Sequence, residues 1–175
     1  NLSNAANTFT GTFTGNGAGL TSLTASNLAG TVPAAALGNA WQLGGNNLAP
    51  GQFLGSLNDQ PLLLRVNGFL GWRLEPVPLD ADHLNIVNVI GGSTLNTVAP
   101  GVSGATIGGG GSEGFINAVN NDFGTIAGGF GNDIRANAYS GAIAGGYDNT
   151  NTGSYAAIPG GYKNVATNYS LAAGR

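Results

Sequence analysis

The second half of the chain repeats a short motif in which an isoleucine or valine is followed closely by a pair of glycines. We take the β-branched residue of each unit as its marker, or Ala172 in the degenerate last copy. The markers are residues 89, 107, 126, 143, 158 and 172, so the spacings are 18, 19, 17, 15 and 14 residues. Such a short period predicts a repeat architecture in which each unit stacks on its neighbours. The units are 88–92 (NVIGG), 105–109 (ATIGG), 125–130 (TIAGGF), 142–147 (AIAGGY), 157–162 (AIPGGY) and 171–174 (LAAG).

Each unit reads as a short strand with one inward-facing isoleucine or valine, followed by a corner. The glycine pair can turn a corner that no Cβ atom would tolerate. An aromatic residue and then an asparagine follow, as in Tyr147-Asp148-Asn149, and asparagine tolerates the left-handed backbone that a second corner needs. We therefore predict a parallel β-solenoid with one unit per rung and with insertions confined to the segments after the glycine pair.

The amino-acid composition limits the classes of protein to which this chain can belong. Glycine accounts for 32 of 175 residues, charged residues for only 7 %, and the net charge is −3. Disordered chains are usually hydrophilic and highly charged, so this chain is expected to bury its apolar groups in a regular β-structure. Its five basic residues are scattered, which argues against nucleic-acid binding. Its apolar runs are too short to cross a bilayer, so no membrane insertion is expected.

A hairpin is predicted in the middle of the chain, where Asn67-Gly68 lies between two apolar runs. Strand alternation places Leu62, Leu64 and Val66 on one face, and Leu70, Trp72 and Leu74 on one face of the return strand. Two strands alone are marginally stable in water. The hairpin is therefore expected to pack on another element, and the same hairpin of neighbouring subunits is the first candidate.

The N-terminal zone offers too little apolar surface for a core of its own. Residues 9–15 alternate with period two and predict a strand, and 15–19 predict a turn. Interleaving with other copies of the chain would give these residues a shared core. Because the chain starts and stops in mid-pattern, we expect it to be a segment of a longer protein.

The C-terminal repeats, about 88–174, resemble the head repeats of trimeric autotransporter adhesins (the YadA-like head), which read roughly Ser-x-Ala-Ile-Gly. The segments 154–161 (SYAAIPGG) and 170–174 (SLAAG) match that pattern best. The resemblance implies a left-handed parallel β-roll, with three copies packed around a three-fold axis. The early units are longer than the family's repeat and carry two glycines in place of one, so we expect loops to protrude from the roll.

The N-terminal half resembles a second group of fibres. Residues 13–23 (FTGNGAGLTSL) look like repeats of phage tail-fibre-like proteins and large bacterial surface proteins, and 59–76 is similar to segments that precede head repeats there. The chain is thus predicted to comprise an intertwined neck at 1–40, a hairpin connector at 41–87 and the roll at 88–175. Neither resemblance supplies a catalytic residue.

Two segments resemble chemical sites, and for each a simpler structural interpretation is favoured. His83, the only histidine, directly follows Asp82 and lies three residues after Asp80, but no Gly-x-Ser-x-Gly elbow is present, so we expect a solvated loop. Residues 128–136 (GGFGNDIRA) fit one calcium-binding nonapeptide, but that motif works in tandem, so a glycine-rich corner is favoured. With no cysteine, Cys-ligated zinc is excluded, and no metal or cofactor is expected.

Four aromatic residues are the candidate ligand-binding set: Phe130, Tyr147, Tyr155 and Tyr162, with Tyr169 as a further member. They could form a ladder that binds a sugar or a protein. The alternative, which we favour, is that they cap the gaps between rungs or lie between subunits.

These observations predict an all-β homotrimeric fibre, with an intertwined β-prism and hairpin followed by the β-roll. Its expected function is non-enzymatic: an extracellular or cell-surface structural and adhesive segment that presents a binding surface to a host cell or matrix. One alternative is a phage-type or injection-system tail-fibre segment that recognises a receptor glycan. Others are a monomeric solenoid that binds a glycan or ice surface, and a fibre-borne glycan hydrolase with paired carboxylates.

Overall fold

The structure is a computed structural model that describes residues 14, 41, 45–77 and 86–174. The chain divides into two compact units, Asn1–Gln52 and Phe53–Arg175. The predicted strand at 9–15 and turn at 15–19 lie outside the described residues except for Thr14, and so do Asp80, Asp82 and His83. Within the described part of the chain no helix is long and apolar enough to cross a membrane.

The described part of the second unit is all-β, as predicted, and its strands form two sheets. Sheet A contains, in spatial order, β1 (Leu62–Val66), β2 (Phe69–Pro76), β3 (Val87–Gly91), β5 (Thr106–Ile107), β7 (Thr125–Ile126), β9 (Ala142–Ile143) and β11 (Ala157–Ile158). Sheet B contains β4 (Thr97–Val98), β6 (Ala118–Val119), β8 (Asp133–Ile134), β10 (Thr150–Asn151) and β12 (Val165–Ala166).

From β3 onward the chain alternates between the sheets, and every pairing within each sheet is parallel. One strand of sheet A and the next strand of sheet B make one rung, and five rungs stack on one another. This is the predicted parallel β-solenoid. The segment from sheet A to sheet B is called the first corner, and the segment from sheet B to the next strand of sheet A the second corner.

A thin apolar core fills the space between the sheets. Sheet A contributes one isoleucine from each rung, and sheet B contributes mainly Val119, Ile134 and Ala166, all fully buried. Burying one such isoleucine or valine stabilises a fold by about 1.5–3 kcal/mol, so no single rung is stable alone and the stack is the cooperative unit. The isoleucines of sheet A are Ile90, Ile107, Ile126, Ile143 and Ile158.

The first repeat is one residue out of the predicted register. Ile90 pairs with Ile107 in the core, whereas Val89 pairs with Thr106. The true marker is therefore Ile90, and the first spacing is 17 residues rather than 18. Val89 was a plausible marker because it is also β-branched, but alternation along β3 turns it away from the core.

Insertions follow the glycine pair, as predicted, and they occur at both corners. From Ile107 to Val119 the chain takes 12 residues, against 8 from Ile126 to Ile134. The four extra residues form a small loop in which Ser112 and Phe115 exchange two backbone hydrogen bonds of 3.1 Å. This loop agrees with the expectation that early units carry excursions from the solenoid.

The asparagines do not have the role that the sequence suggested. The residue before the asparagine adopts the left-handed backbone in three rungs: Gly131 (φ 71°), Asp148 (φ 58°) and Lys163 (φ 55°). The asparagines themselves are buried and form a ladder along the solenoid. The members of this asparagine ladder are Asn96, Asn117, Asn132, Asn149 and Asn164.

Side-chain amides in the asparagine ladder join consecutive rungs. The backbone N–H of Asn149 donates to Oδ1 of Asn132 at 3.1 Å. Asn132 Nδ2 donates to the carbonyl of Gly128 at 3.0 Å in its own rung and to that of Gly146 at 3.1 Å in the next. Carbonyls at the glycine corners thus accept hydrogen bonds from side-chain amides of the asparagine ladder.

The predicted hairpin is present, with one correction. Asn67 (φ 50°) and Gly68 (φ 78°) both have positive φ, as a two-residue type I′ turn requires. Leu64 faces Trp72, but the next residue, Arg65, faces Leu70, so one residue of β2 is skipped by a β-bulge. Leu70 therefore does not continue the Trp72 and Leu74 face, contrary to the predicted alternation.

The hairpin packs against the first rung of its own chain. Strand β2 pairs antiparallel with β3, from Trp72 opposite Gly91 to Pro76 opposite Val87. Arg73 reaches the end of the first rung, where its guanidinium donates to the carbonyl of Asn96 at 2.7 Å. Its Nε lies 2.7 Å from Glu75 Oε1. The hairpin therefore caps the first rung, as solenoids require at their ends.

Candidate functional site

The first corner carries a ladder of stacked aromatic rings. Phe130, Tyr147 and Tyr162 each follow a glycine pair, so the repeat places them one above another. Phe130 and Tyr147 stack with centroids 4.5 Å apart and an interplanar angle of 19°, and Tyr147 and Tyr162 with 5.3 Å and 23°. Phe115, from the inserted loop, packs edge-on against Phe130 and Tyr147. These four residues are named the first aromatic ladder.

Tyr155, which the sequence grouped with those residues, belongs to the second corner. There it lies between Tyr139, at 5.7 Å, and Tyr169, at 5.6 Å, and Tyr139 in turn contacts Phe123 at 5.6 Å. These four residues are named the second aromatic ladder. The structure thus brings three of the four predicted residues together and adds three that the sequence did not single out: Phe115, Phe123 and Tyr139.

The stacking decides which parts of the rings are available. Sugars bind aromatic side chains by laying C–H groups on the ring face, whereas rings that stack on each other cover those faces and leave mainly their edges exposed. Phe130 and Tyr147 are in that position, since their planes lie within 19° of parallel. Each such pair contributes about 0.5–1.5 kcal/mol beyond area burial, so the ladders also staple neighbouring rungs.

Two charged side chains lie beside Tyr162, the last member of the first aromatic ladder in chain order. Lys163 Nζ lies 5.1 Å from the centre of the Tyr162 ring and 3.7 Å from Asp148 Oδ2. A hydrogen bond with Tyr162 and the charge of Asp148 raise the pKa of Lys163 above its ordinary value. The ammonium group is exposed, so this cluster lies on the surface of the corner and does not form an enclosed binding site.

Unusual backbone at the second corner recurs in every rung. Phe123, Ser140, Tyr155 and Tyr169 have φ between 51° and 57°, and Gly104 takes the equivalent place with φ 66°. The N–H groups of the four non-glycine residues bond to the preceding rung, as from Tyr155 to the carbonyl of Tyr139 at 2.9 Å. Isolated strained residues often mark functional sites, but a conformation repeated five times is a device of the fold.

The single calcium-like motif is occupied by other contacts. Asp133 Oδ2 lies 2.6 Å from Arg135 Nε, and Oδ1 accepts a hydrogen bond of 2.9 Å from Asn120 Nδ2. Over residues 45–77 and 86–174, no three His, Cys, Asp or Glu side chains come together in a group suited to a metal ion. The segment around Gly129 is a corner of the solenoid.

A shallow groove of about 360 Å³ lies beside the first aromatic ladder. It is lined by Gly110, Gly111, Ser112, Gly129 and Phe130. Its glycines are required by packing, because a Cβ atom on Gly111 or Gly129 would overlap a neighbouring rung. The groove therefore follows from how the rungs stack, and it offers backbone groups and one hydroxyl to a ligand.

A continuous surface, the outer face of sheet A, runs without interruption from the hairpin through the solenoid. Strand pairing puts one residue of each strand in a single column: Leu62, Leu74, Val89, Thr106, Thr125, Ala142, Ala157 and Leu171. The residues two positions away share that side: Leu64, Trp72, Gly91, Gly108, Ala127, Ala144 and Pro159. None of these residues is charged. The two columns are called the outer face of sheet A.

Several side chains of this outer face are open to solvent in the single chain. Leu64 is 48 % exposed, Trp72 44 % and Leu171 72 %, while Thr125 and Ala142 between them are also exposed. The aromatic ladders and this face are the surfaces on which a function can be argued. Comparison of the chain with protein-family models, with curated proteins and with solved structures finds no match.

Proposed function

We propose that the chain is a structural and adhesive segment of an extracellular homotrimeric fibre, which holds a binding surface out toward a host cell or matrix. The observation that carries this proposal is the continuous, uncharged outer face of sheet A on a rigid stacked solenoid. The proposal includes a left-handed roll, an intertwined β-prism from the N-terminal zone, and no enzymatic role.

Rigidity along the solenoid supports a role as a spacer. Each rung is joined to the next by parallel backbone bonds in two sheets and by the asparagine ladder, and from the second rung onward also by the aromatic ladders. In such quasi-one-dimensional folds each rung contacts only its neighbours, so length grows by adding rungs without changing the cross-section. A module of this kind is suited to holding a binding surface at a fixed distance rather than to catalysing a reaction.

Exposed apolar side chains support association of several copies. Leu57 is 93 % exposed, Val66 75 % and Phe69 71 % in the single chain. Soluble monomers rarely leave many large apolar side chains exposed together, and contiguous patches of this type mark protein–protein interfaces. Three chains wrapped together would remove these side chains from water.

The mass of the protein in solution tests the proposal. Light scattering after size exclusion is expected to give about 52 kDa, three times the chain mass of 17.3 kDa, and dilution to the micromolar range should not change it. A stable species at 17.3 kDa under the same conditions would rule out the trimeric fibre.

A further inference from the structure

We propose that the outer face of sheet A is the surface through which copies of this chain associate, and that its occupant is the same face of other copies around a common axis. This inference rests on the proposed homotrimer and adds which residues meet. The outer side of sheet B and the first corner carry charged side chains, which this face does not.

Charge separates the two sides of the solenoid. The outer side of sheet B carries Asp133 and Arg135, and the first corner carries Asp148 and Lys163. On the hairpin, Arg73 is directed to the first rung and contacts Asn96 there. When identical copies meet around a common axis, the side chains nearest the axis lie beside their own copies, so a charge there would meet a like charge. The outer face of sheet A carries no charged residue and therefore avoids this repulsion.

The outer face of sheet A is also narrow, and the side chains of its middle rungs are small. Strands β5, β7, β9 and β11 are two residues long, so each rung presents only one or two outward side chains. Those of the middle rungs are small, for example Thr125, Ala142 and Ala144. Narrow strips of small residues allow three backbones to approach one axis closely, whereas a broad sheet would leave a central gap.

Area shows why the hairpin belongs to the same interface. Without the hairpin, the six stacked positions from Val89 to Leu171 are about 4.8 Å apart and give a strip about 24 Å tall. Two outward residues give a width of about 10 Å, or roughly 240 Å² of flat area per copy. Stable interfaces bury about 800 Å² on each partner. The exposed Leu64, Val66, Phe69 and Trp72 of the hairpin continue the strip and supply further area. Association is therefore expected to need both parts.

A matched pair of substitutions tests the location of the interface. Thr125 and Thr97 are both exposed first residues of two-residue strands, one in sheet A and one in sheet B. Thr125→Glu is expected to reduce the trimer at a fixed concentration by at least about 100-fold, because like charges brought together across an interface cost several kcal/mol. Thr97→Glu is expected to keep the mass of the unsubstituted protein.

A conservative substitution keeps the test decisive if Thr125→Glu fails to fold. Ala127→Cys adds only a thiol, and the chain contains no other cysteine. Mild oxidation is expected to join Ala127→Cys copies into covalent dimers, and to leave Thr97→Cys copies unlinked. A trimer that persists in Thr125→Glu, or cross-linking of Thr97→Cys in place of Ala127→Cys, would overturn the proposed face while leaving the trimer intact. A monomeric unsubstituted protein, including one that binds only a flat polysaccharide, would overturn both.

Discussion

Replacing Gly129 with alanine is expected to destabilise the chain by roughly 3 kcal/mol or more, from left-handed backbone strain and from steric overlap. Gly129 has φ 76°, and a Cβ atom there would overlap the carbonyl oxygen of Gly146 and come within 2.7 Å of Asn132 Nδ2. Both partners are fixed by the next rung or the asparagine ladder, so neither can move aside. Urea denaturation followed by circular dichroism measures the loss.

The preceding glycine provides the matched control. A Cβ atom on Gly128 meets nothing within 4 Å, and its backbone is not in the left-handed region. Gly128→Ala is therefore expected to change stability by no more than about 0.5 kcal/mol. Equal losses in the two variants would show that the second glycine of the pair does not sit against the next rung.

Asn132→Ala is expected to cost roughly 3 kcal/mol, since each buried group left unpaired costs about 1–3 kcal/mol. The substitution removes the amide that donates to Gly128 and Gly146 and the oxygen that accepts from the N–H of Asn149. The junction between the third and fourth rungs therefore loses its bonds to Gly146 and Asn149, and the corner of the third rung loses its bond to Gly128. The midpoint of urea denaturation is again the measurement.

Asn137 is the control for that loss, because it is exposed and lies outside the asparagine ladder. Asn137→Ala is expected to shift stability by less than about 0.5 kcal/mol. If Asn132→Ala were as harmless as Asn137→Ala, the asparagine ladder would not join the rungs in solution.

The solenoid was predictable because the repeat contains an isoleucine that marks the core position and a glycine pair that marks the corner. The exact register was not, because the distance from marker to glycine pair varies. Ile107 directly precedes its glycines, whereas Ile126 is separated from Gly128 by one residue. Ile90, like Ile107, directly precedes its glycines, and this shared offset is the signal that identifies Ile90 rather than Val89 as the core residue.

The asparagine ladder shows where reasoning from local backbone preference ends. Asparagine tolerates positive φ, so a corner position was the natural prediction, yet the preceding Asp148 and Lys163 take that conformation. The useful signal was the constant offset of four residues in Gly128–Asn132 and Gly145–Asn149. Bonds to the next rung cannot be seen in one repeat taken alone.

The candidate ligand-binding residues were only partly predictable for a related reason. Phe130, Tyr147 and Tyr162 share one offset from the glycine pair and therefore stack. Tyr155 precedes the next strand instead, which was enough to place it at the other corner. Phe115 could not be assigned, because a loop that lies outside the repeat delivers it to the first aromatic ladder.

Distances between copies test the central claim most directly. The chain contains no cysteine, so Thr125→Cys and Thr97→Cys each carry one spin label for pulsed dipolar spectroscopy. Because packed sheets lie about 10 Å apart, labels at 125 on different copies are expected no more than about 20 Å apart, and labels at 97 about 30 Å or more. Short distances at 97 and long ones at 125, or no dipolar coupling between copies at either position, would contradict association through the outer face of sheet A.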